Sequence, residues 1–176
     1  MNRRSNDFTG SESNDTEFDL DDFFESVTDS KIHKTIKRHR DGSHSHMGGR
    51  NKPTCQQLAN IIGGEVVTAD PVCVIMRLRN IRATILGRRT RSPLALPFML
   101  SFEDNGLNLG ESVVLQREVN PMIHALQRRG IIVTAFHNHW LFEEPRLMYL
   151  HWEDVRMSPA EFARASRAAA REARLF

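Results

Sequence analysis

The chain has 176 residues, of which 40% are hydrophobic and 26% charged, and its formal net charge is +2 at pH 7. That length suffices for one domain with a real core and is too short for two ordinary domains. The N-terminus has no apolar signal core, and no apolar run is long enough to cross a bilayer. These features predict a cytoplasmic protein without a membrane partner.

The small net charge hides two blocks of opposite sign. Residues 1–29 carry nine acids against two arginines, and residues 31–52 carry seven basic side chains against one aspartate. Neither block has enough apolar material to offset the entropy of ordering it, so we expect residues 1–51 to be a disordered tail. The alternative for the acidic block is a short helix that recruits a protein partner through Phe18, Leu20, Phe23 and Phe24. The basic block also holds histidines that fit a flexible linker better than a weak metal site: His33, His39, His44 and His46.

The first predicted helix begins after Pro53, and the first strands follow it. Thr54 and Gln57 form a capping-box pattern, and Gly63 ends the helix. Stretches rich in β-branched residues then predict strands at 65–67, 72–79 and 81–87.

The two cysteines, Cys55 and Cys73, lie in predicted ordered elements without C-x-x-C spacing. This spacing argues against a zinc knuckle and against a disulfide framework. Both are therefore interpreted as small buried hydrophobic residues.

The middle of the chain predicts a continuing meander of strands. The basic run Arg88–Arg91 is interpreted as a solvated turn before Pro93, with anion binding as the alternative. Strands are predicted at 94–102 and 112–116, with a polar connection rich in glycine and asparagine at 103–110.

Two further helices are marked by their capping residues. Asn120 is predicted as the N-cap of a helix with Pro121 at its first position and Gly130 at its end. Ser158 and Glu161 form a capping box that opens a final helix rich in alanine and arginine. No aromatic or glycine nucleic-acid motif accompanies these arginines, so a solvated face is favoured and nucleic acid is disfavoured as a partner.

A predicted hairpin, made of strands at 131–139 and 146–153, carries the candidate functional groups. Because side chains alternate along a strand, His137 and His139 share one face. Pairing with the second strand brings His151 toward them in a suitable register. The turn between the strands holds two acids, Glu143 and Glu144.

Imidazole nitrogens and carboxylate oxygens together suit Zn²⁺, Fe²⁺, Mn²⁺ or Ni²⁺. The candidate metal ligands are therefore His137, His139, Glu143, Glu144 and His151. Without a metal, the same groups suit acid–base catalysis, in which His137 or His139 exchanges a proton and Glu144 orients it. The structural alternative is an ordinary hairpin end with a surface ion pair between Glu143 and Arg146.

Two neighbouring side chains extend the site toward a small-molecule ligand. Arg146, next to Pro145, is suited to bidentate binding of a carboxylate or phosphate. Asn138 is suited to hydrogen bonding with a ligand or with neighbouring backbone. The H-x-H-x₃-E spacing resembles the first motif of cupin barrels, but no second motif follows and the flanking helices do not suit a barrel.

The same segment resembles the LppY/LpqO-type domain family, an uncharacterised bacterial group marked by T-A-x-H-N-H, then P-R and a further histidine. The matching residues are Thr134, Ala135, Phe136, His137, Asn138, His139, Glu144, Pro145, Arg146 and His151. The upstream stretch GESVVLQREVNPMIHALQRRGI resembles that family as well. The resemblance implies no established reaction. Because the export signal of the lipoprotein members is missing, it implies a stand-alone cytoplasmic-type member.

Together these features predict one α+β domain over residues 52–176, with an antiparallel sheet covered by about three helices and preceded by the tail. The predicted function is binding of a metal ion or small ligand through the His/Glu site, with hydrolase- or lyase-like chemistry. The alternative is a regulatory or scaffold protein that recruits a partner through its acidic aromatic tail.

Overall fold

The structure is a computed structural model that describes residues 52–176. The expected tail, its aromatic docking segment and its four histidines lie outside the described residues. The domain boundary at residue 52 therefore stays a prediction.

Three helices and nine strands form the described part of the chain. The helices are α1 (Cys55–Ile62), α2 (Val119–Gln127) and α3 (Pro159–Glu172). The strands are β1 (Glu65–Thr68), β2 (Cys73–Leu78), β3 (Ala83–Ile85), β4 (Arg88–Thr90), β5 (Pro97–Phe102), β6 (Asn108–Leu115), β7 (Ile132–His137), β8 (Glu143–Glu144) and β9 (Leu147–Asp154). This content confirms the predicted α+β class, with antiparallel strands and three covering helices. Within residues 52–176, none of these helices has the length and apolar character needed to cross a membrane.

Helices α1 and α3 begin at the predicted capping boxes. The Thr54 hydroxyl accepts a hydrogen bond from the Gln57 backbone N–H at 3.2 Å, and the Gln57 side chain accepts one from the Thr54 N–H at 2.9 Å. Ser158 and Glu161 form the same reciprocal pair at the start of α3. These contacts satisfy backbone donors that have no partner inside the helix.

Helix α2 begins at Val119, two residues before the predicted first position Pro121, so Asn120 is not its N-cap. A 3₁₀ turn at Gln116–Glu118 leads directly into the helix. The Glu118 carboxylate accepts a hydrogen bond from the Leu115 N–H at 2.9 Å, which satisfies a backbone donor at this turn. The prediction was wrong because this cap lies upstream of the Asn-Pro pair.

The main sheet has six antiparallel strands in the order β1-β2-β5-β6-β9-β7. Strand β6 begins at Asn108, four residues before the predicted start, and pairs along its whole length with β9. The prediction was wrong because the glycine and asparagine of this stretch were taken as loop residues. Gly110 lies within the strand, and a Cβ there would overlap the Trp152 ring.

The three helices cover one face of this sheet. Strand alternation places Leu100, Leu150 and Trp152 on that face, where they pack with Met122 and Phe162. The Trp152 indole N–H donates to the Ser166 hydroxyl at 3.0 Å, which ties α3 to β9. This layer is the main hydrophobic core.

A small three-stranded sheet, in the order β4-β3-β8, packs on part of the opposite face. Its Ala83 and Ile85 contact Val113, Leu147 and Tyr149 of the main sheet, and these side chains form a second, smaller hydrophobic core. Strand β4 contradicts the predicted turn at Arg88–Arg91, because the chain reverses earlier, at Leu86 and Gly87, where φ is 50° and 71°. The reversal was not foreseen because leucine rarely occupies a positive φ.

The cysteines form a disulfide, which contradicts the prediction of two separate buried thiols. Cys55 at the start of α1 and Cys73 at the start of β2 have Cα atoms 5.6 Å apart. The β1–β2 hairpin returns the chain beneath α1 and brings the two residues together. Local spacing rules cannot detect such a pair because the tertiary fold creates the proximity.

A buried ion pair next to the end of β2 joins distant parts of the chain. The Arg79 guanidinium donates to the Glu118 carboxylate at 2.7 and 3.1 Å, and to the Val113 and Leu175 carbonyls. Both side chains are almost fully buried. Because the charges are paired and hydrogen-bonded, the desolvation that burial imposes is offset.

Candidate functional site

Strands β7 and β9 position two of the three histidines on the sheet face opposite the helices. Ala135 of β7 lies across from His151 of β9, and His137 lies across from Tyr149. His137 and His151 are therefore diagonal neighbours on one face, within reach of each other. A bulge between Val133 and Ala135 sets this register, which the sequence left open.

The three imidazoles form a compact group, which we call the histidine cluster: His137, His139 and His151. The Nε2 atoms of His137 and His151 are 2.9 Å apart, and the rings of His137 and His139 stack with centroids 4.8 Å apart. One ring nitrogen from each residue lies within 4.8 Å of the others. His137 and His139 are exposed and His151 is half-buried, so solvent and small molecules reach the group.

His139 lies two residues beyond the end of β7, and a buried aromatic ring holds it in place. Its imidazole stacks on the Tyr149 ring at a centroid distance of 3.7 Å and an angle of 4°. The Tyr149 hydroxyl donates to the Ala95 carbonyl at 2.8 Å and accepts from the Trp140 indole N–H at 2.9 Å. The second core thus fixes the ring on which His139 rests.

The surroundings of His139 favour its neutral form. Partial burial lowers its pKa most, and the nearby His137 and His151 lower it further, whereas Glu111 acts in the opposite direction. A neutral imidazole keeps a lone pair available to accept a proton or to bind a metal. Burial likewise raises the pKa of Tyr149, against the hydrogen bond from Trp140, with Glu111 and Glu143 adding to the rise.

Glu111 is a candidate residue that the sequence did not reveal. It lies on β6 directly across from His151, and its charge acts on both His139 and Tyr149. The predicted strand began at residue 112, which left Glu111 outside it. Residues 108–115 show no regular alternation of polar and apolar side chains, so no local signal placed Glu111 on this face.

The two predicted acidic ligands occupy different environments on β8. Glu143 lies across from Ile85, and its side chain is only 1% exposed, with Arg146 Nε 3.9 Å away. Neither of its carboxylate oxygens has a hydrogen-bond partner within residues 52–176. Glu144 points to the other side of the small sheet, across from Thr84, and is exposed. The cluster of converging ligand atoms contains neither acid.

The two predicted ligand-binding side chains remain accessible. Asn138, between the clustered histidines, is exposed, and the Arg146 side chain is 61% exposed. The predicted surface ion pair of Arg146 with Glu143 has one buried member instead of two solvated ones. Their proposed roles in ligand binding stay predictions.

Comparison with known protein families shows which family the chain belongs to. The profile of a family described as Domain of Unknown Function (DUF1259) matches residues 56–172, from α1 to the end of α3. The chain belongs to this family. Nothing in that match indicates the LppY/LpqO family, so the expected membership was wrong. The match to DUF1259 includes the whole histidine cluster. No curated protein and no solved structure matched the chain.

The two family assignments rest on different lengths of the chain. The LppY/LpqO resemblance rested on a motif between Thr134 and His151 and on the stretch before it, from Gly110 to Ile131. The DUF1259 profile covers nearly the whole described domain and therefore identifies the family more firmly.

Proposed function

We propose that this DUF1259 domain binds one divalent transition-metal ion through His137, His139 and His151, and presents it to a small-molecule ligand. The observation that carries the proposal is the convergence of three imidazole nitrogens within 4.8 Å on an accessible sheet face. Two nitrogens that each lie about 2.1 Å from one ion are about 3.0–3.4 Å apart. The 2.9 Å separation of the His137 and His151 nitrogens is close to that spacing.

A carboxylate near the cluster would complete the set of ligands. Glu111 is better placed than the acids of β8, because it lies directly across the sheet from His151. Glu143 is buried and does not belong to the group of converging ligand atoms, and Glu144 faces away. Three imidazoles with one carboxylate suit Zn²⁺, Fe²⁺, Mn²⁺ or Ni²⁺.

The supporting residues would orient the ligands in the way that outer-shell groups do at metal sites. The Tyr149 ring sets the plane of His139 by stacking, and the Tyr149 hydroxyl is itself fixed by Ala95 and Trp140. Such outer groups fix ring orientation and contribute to metal affinity. An accessible cluster leaves room for a ligand beside the protein groups.

Hydrolase- or lyase-like chemistry is the reaction class that this arrangement supports. A bound transition metal polarises a carbonyl or phosphoryl oxygen and lowers the pKa of bound water. Asn138 and Arg146 would then orient the ligand through hydrogen bonds and charge. The 2.9 Å contact between His137 and His151 is also compatible with a shared proton in metal-free acid–base chemistry.

Metal titration of the full chain, purified without a histidine tag and stripped with chelator, separates these two functions. We expect one equivalent of Zn²⁺ or Co²⁺ to bind the wild-type chain and none to bind His137→Ala/His139→Ala with comparable affinity. His124→Ala is the matched control, since that exposed histidine lies on α2, outside the cluster.

A second control removes the histidines of the N-terminal block. The variant with His33, His39, His44 and His46 all replaced by Asn should keep the single equivalent of metal. Equal metal binding by the wild-type chain and the His137→Ala/His139→Ala variant would overturn the metal proposal.

A further inference from the structure

The most exposed large apolar side chains of the described residues gather at two neighbouring turns. Leu141 is 82% exposed, Leu86 72% and Phe142 68%. The Leu86 backbone N–H donates to the Phe142 carbonyl at 2.9 Å, which joins the two turns. We call these three side chains the apolar tip. A contiguous exposed apolar patch marks an interaction site more often than a scattered surface leucine does.

The position of Leu86 is unusual for a leucine. It occupies the first place of the two-residue turn between β3 and β4, with φ of 50°. Asparagine and glycine are the residues that such turns prefer, because a branched side chain is strained at positive φ. The turn therefore tolerates both backbone strain and an exposed leucine at its end.

Arginines surround the apolar tip. Arg88 and Arg89 form most of β4, directly after the turn, and Arg82 and Arg91 flank the same hairpin. All four are exposed. Within residues 52–176 none of them forms an ion pair with an acid. No acid of the described residues therefore neutralises their charge.

We propose that the apolar tip and its arginines dock on an anionic lipid surface. The tip side chains are more than two-thirds exposed, so they project into solvent. Projecting leucine and phenylalanine enter the boundary between headgroups and acyl chains, while arginines bind lipid phosphates. The expected lack of a membrane partner rested on the missing transmembrane segment, which does not bear on peripheral docking.

Co-sedimentation of the full chain with vesicles tests the proposal. We use vesicles of phosphatidylcholine alone and of phosphatidylcholine mixed with phosphatidylglycerol, at low and high salt. Binding should require phosphatidylglycerol and weaken at high salt, because exposed charges are screened. Binding to both vesicle types alike would overturn the role of the arginines.

Matched variants locate the surface. Leu86→Asn/Leu141→Ser/Phe142→Ser should lower vesicle binding about tenfold or more, because three apolar side chains no longer enter the lipid. Val67→Ser/Val155→Ser removes two other exposed apolar side chains and should bind as the wild-type chain does. Asparagine suits the positive φ of residue 86, so the tip variant is expected to fold.

Matched arginine variants test whether the positive charge near the apolar tip contributes to vesicle binding. Arg88→Gln/Arg89→Gln/Arg91→Gln should lose binding, whereas Arg117→Gln/Arg164→Gln/Arg171→Gln removes exposed arginines elsewhere and should keep it. Circular dichroism checks that each variant is folded, and His137→Ala/His139→Ala should bind vesicles normally. Unchanged binding by the tip variant would overturn the proposal, and so would tip-dependent self-association of the chain without vesicle binding.

Discussion

Tyr149 connects the buried core to the candidate metal site. Its ring packs in the second core and stacks on His139, while its hydroxyl bonds to Ala95 and Trp140. The orientation of an exposed histidine is therefore determined by residues that a metal would never contact. Positioning of this kind is typical of outer-shell residues at metal sites.

Tyr149→Phe separates the stacking from the hydrogen bonds. The ring remains, but the Ala95 carbonyl and the Trp140 N–H lose their partner, so the free energy of unfolding should fall by about 1–3 kcal/mol. Urea denaturation measures this loss, and zinc titration should show a smaller change in affinity than His139→Ala causes. An unchanged unfolding midpoint would contradict the role given to the hydroxyl.

Substitution of Glu111 tests whether its carboxylate contributes to zinc binding. Glu111→Gln should weaken zinc affinity by about 10–100-fold if its charge acts on the ion, either directly or by fixing a ligand. Glu153→Gln is the control, because Glu153 lies on the same face two residues beyond His151 and pairs with Leu109. Similar zinc affinities for the two variants would show that Glu111 contributes no more to metal binding than Glu153 does.

The sequence predicted the three histidines but did not predict Glu111, for a physical reason. Alternation along a single strand is local, so it placed His137 and His139 on one face, and it placed Tyr149 on the same face as His151. Glu111 enters the site only through the pairing of β6 with β9. Strand pairing depends on long-range register, which local patterns do not specify.

At the scale of elements, caps determined which boundaries could be predicted. Helices α1 and α3 begin where their capping boxes stand, because the cap residues act on the backbone within one turn. Strands β4 and β6 were placed wrongly. Their residues, arginines in one and a glycine and an asparagine in the other, are weak strand formers that pairing holds in extended conformation.

The cap of α3 makes a prediction about pH. Hydrogen bonds from Ser158 hold the pKa of Glu161 below its usual value. A lowered folded-state pKa contributes stability above the unfolded pKa, and that contribution is lost as pH falls through the folded value. Ser158→Ala should therefore lower Tm at neutral pH, and its difference from the wild-type chain should shrink under acid conditions.

Thermal melts of both proteins from neutral to acidic pH measure this effect. Glu161→Gln provides the control background, because without the titrating carboxyl the Tm difference between Glu161→Gln and Ser158→Ala/Glu161→Gln should not vary with pH. A difference between Ser158→Ala and the wild-type chain that stays constant through acid would contradict the account of the cap.

At the scale of the whole domain, the disulfide joins α1 to β2 across a sequence separation of 18 residues. Closing a loop of that size restricts the unfolded chain and stabilises a domain by about 3 kcal/mol. Cys55→Ser/Cys73→Ser should lose about that much free energy of unfolding. Urea titrations with and without reductant measure it, and a wild-type chain that reductant does not destabilise would contradict the bond's contribution.

The two faces of the six-stranded sheet differ in what they carry. One face is covered by three helices that make the main core, and the other carries the small sheet and the histidine cluster. An antiparallel sheet can leave part of one face open to solvent. The sequence foresaw the layers and the hairpin. It did not predict the small sheet, which consists of β4, β3 and the two residues of β8. The pairing of β3 with β8 joins residues far apart in the chain, so it depends on the tertiary fold.

Anomalous X-ray diffraction from crystals of the full chain grown with zinc would locate the bound ion. We expect one anomalous peak about 2.1 Å from a ring nitrogen of each clustered histidine, and no peak there in crystals of His137→Ala/His139→Ala. Crystals of the zinc-treated wild-type chain with no anomalous density among His137, His139 and His151 would show that the histidine cluster does not bind the metal.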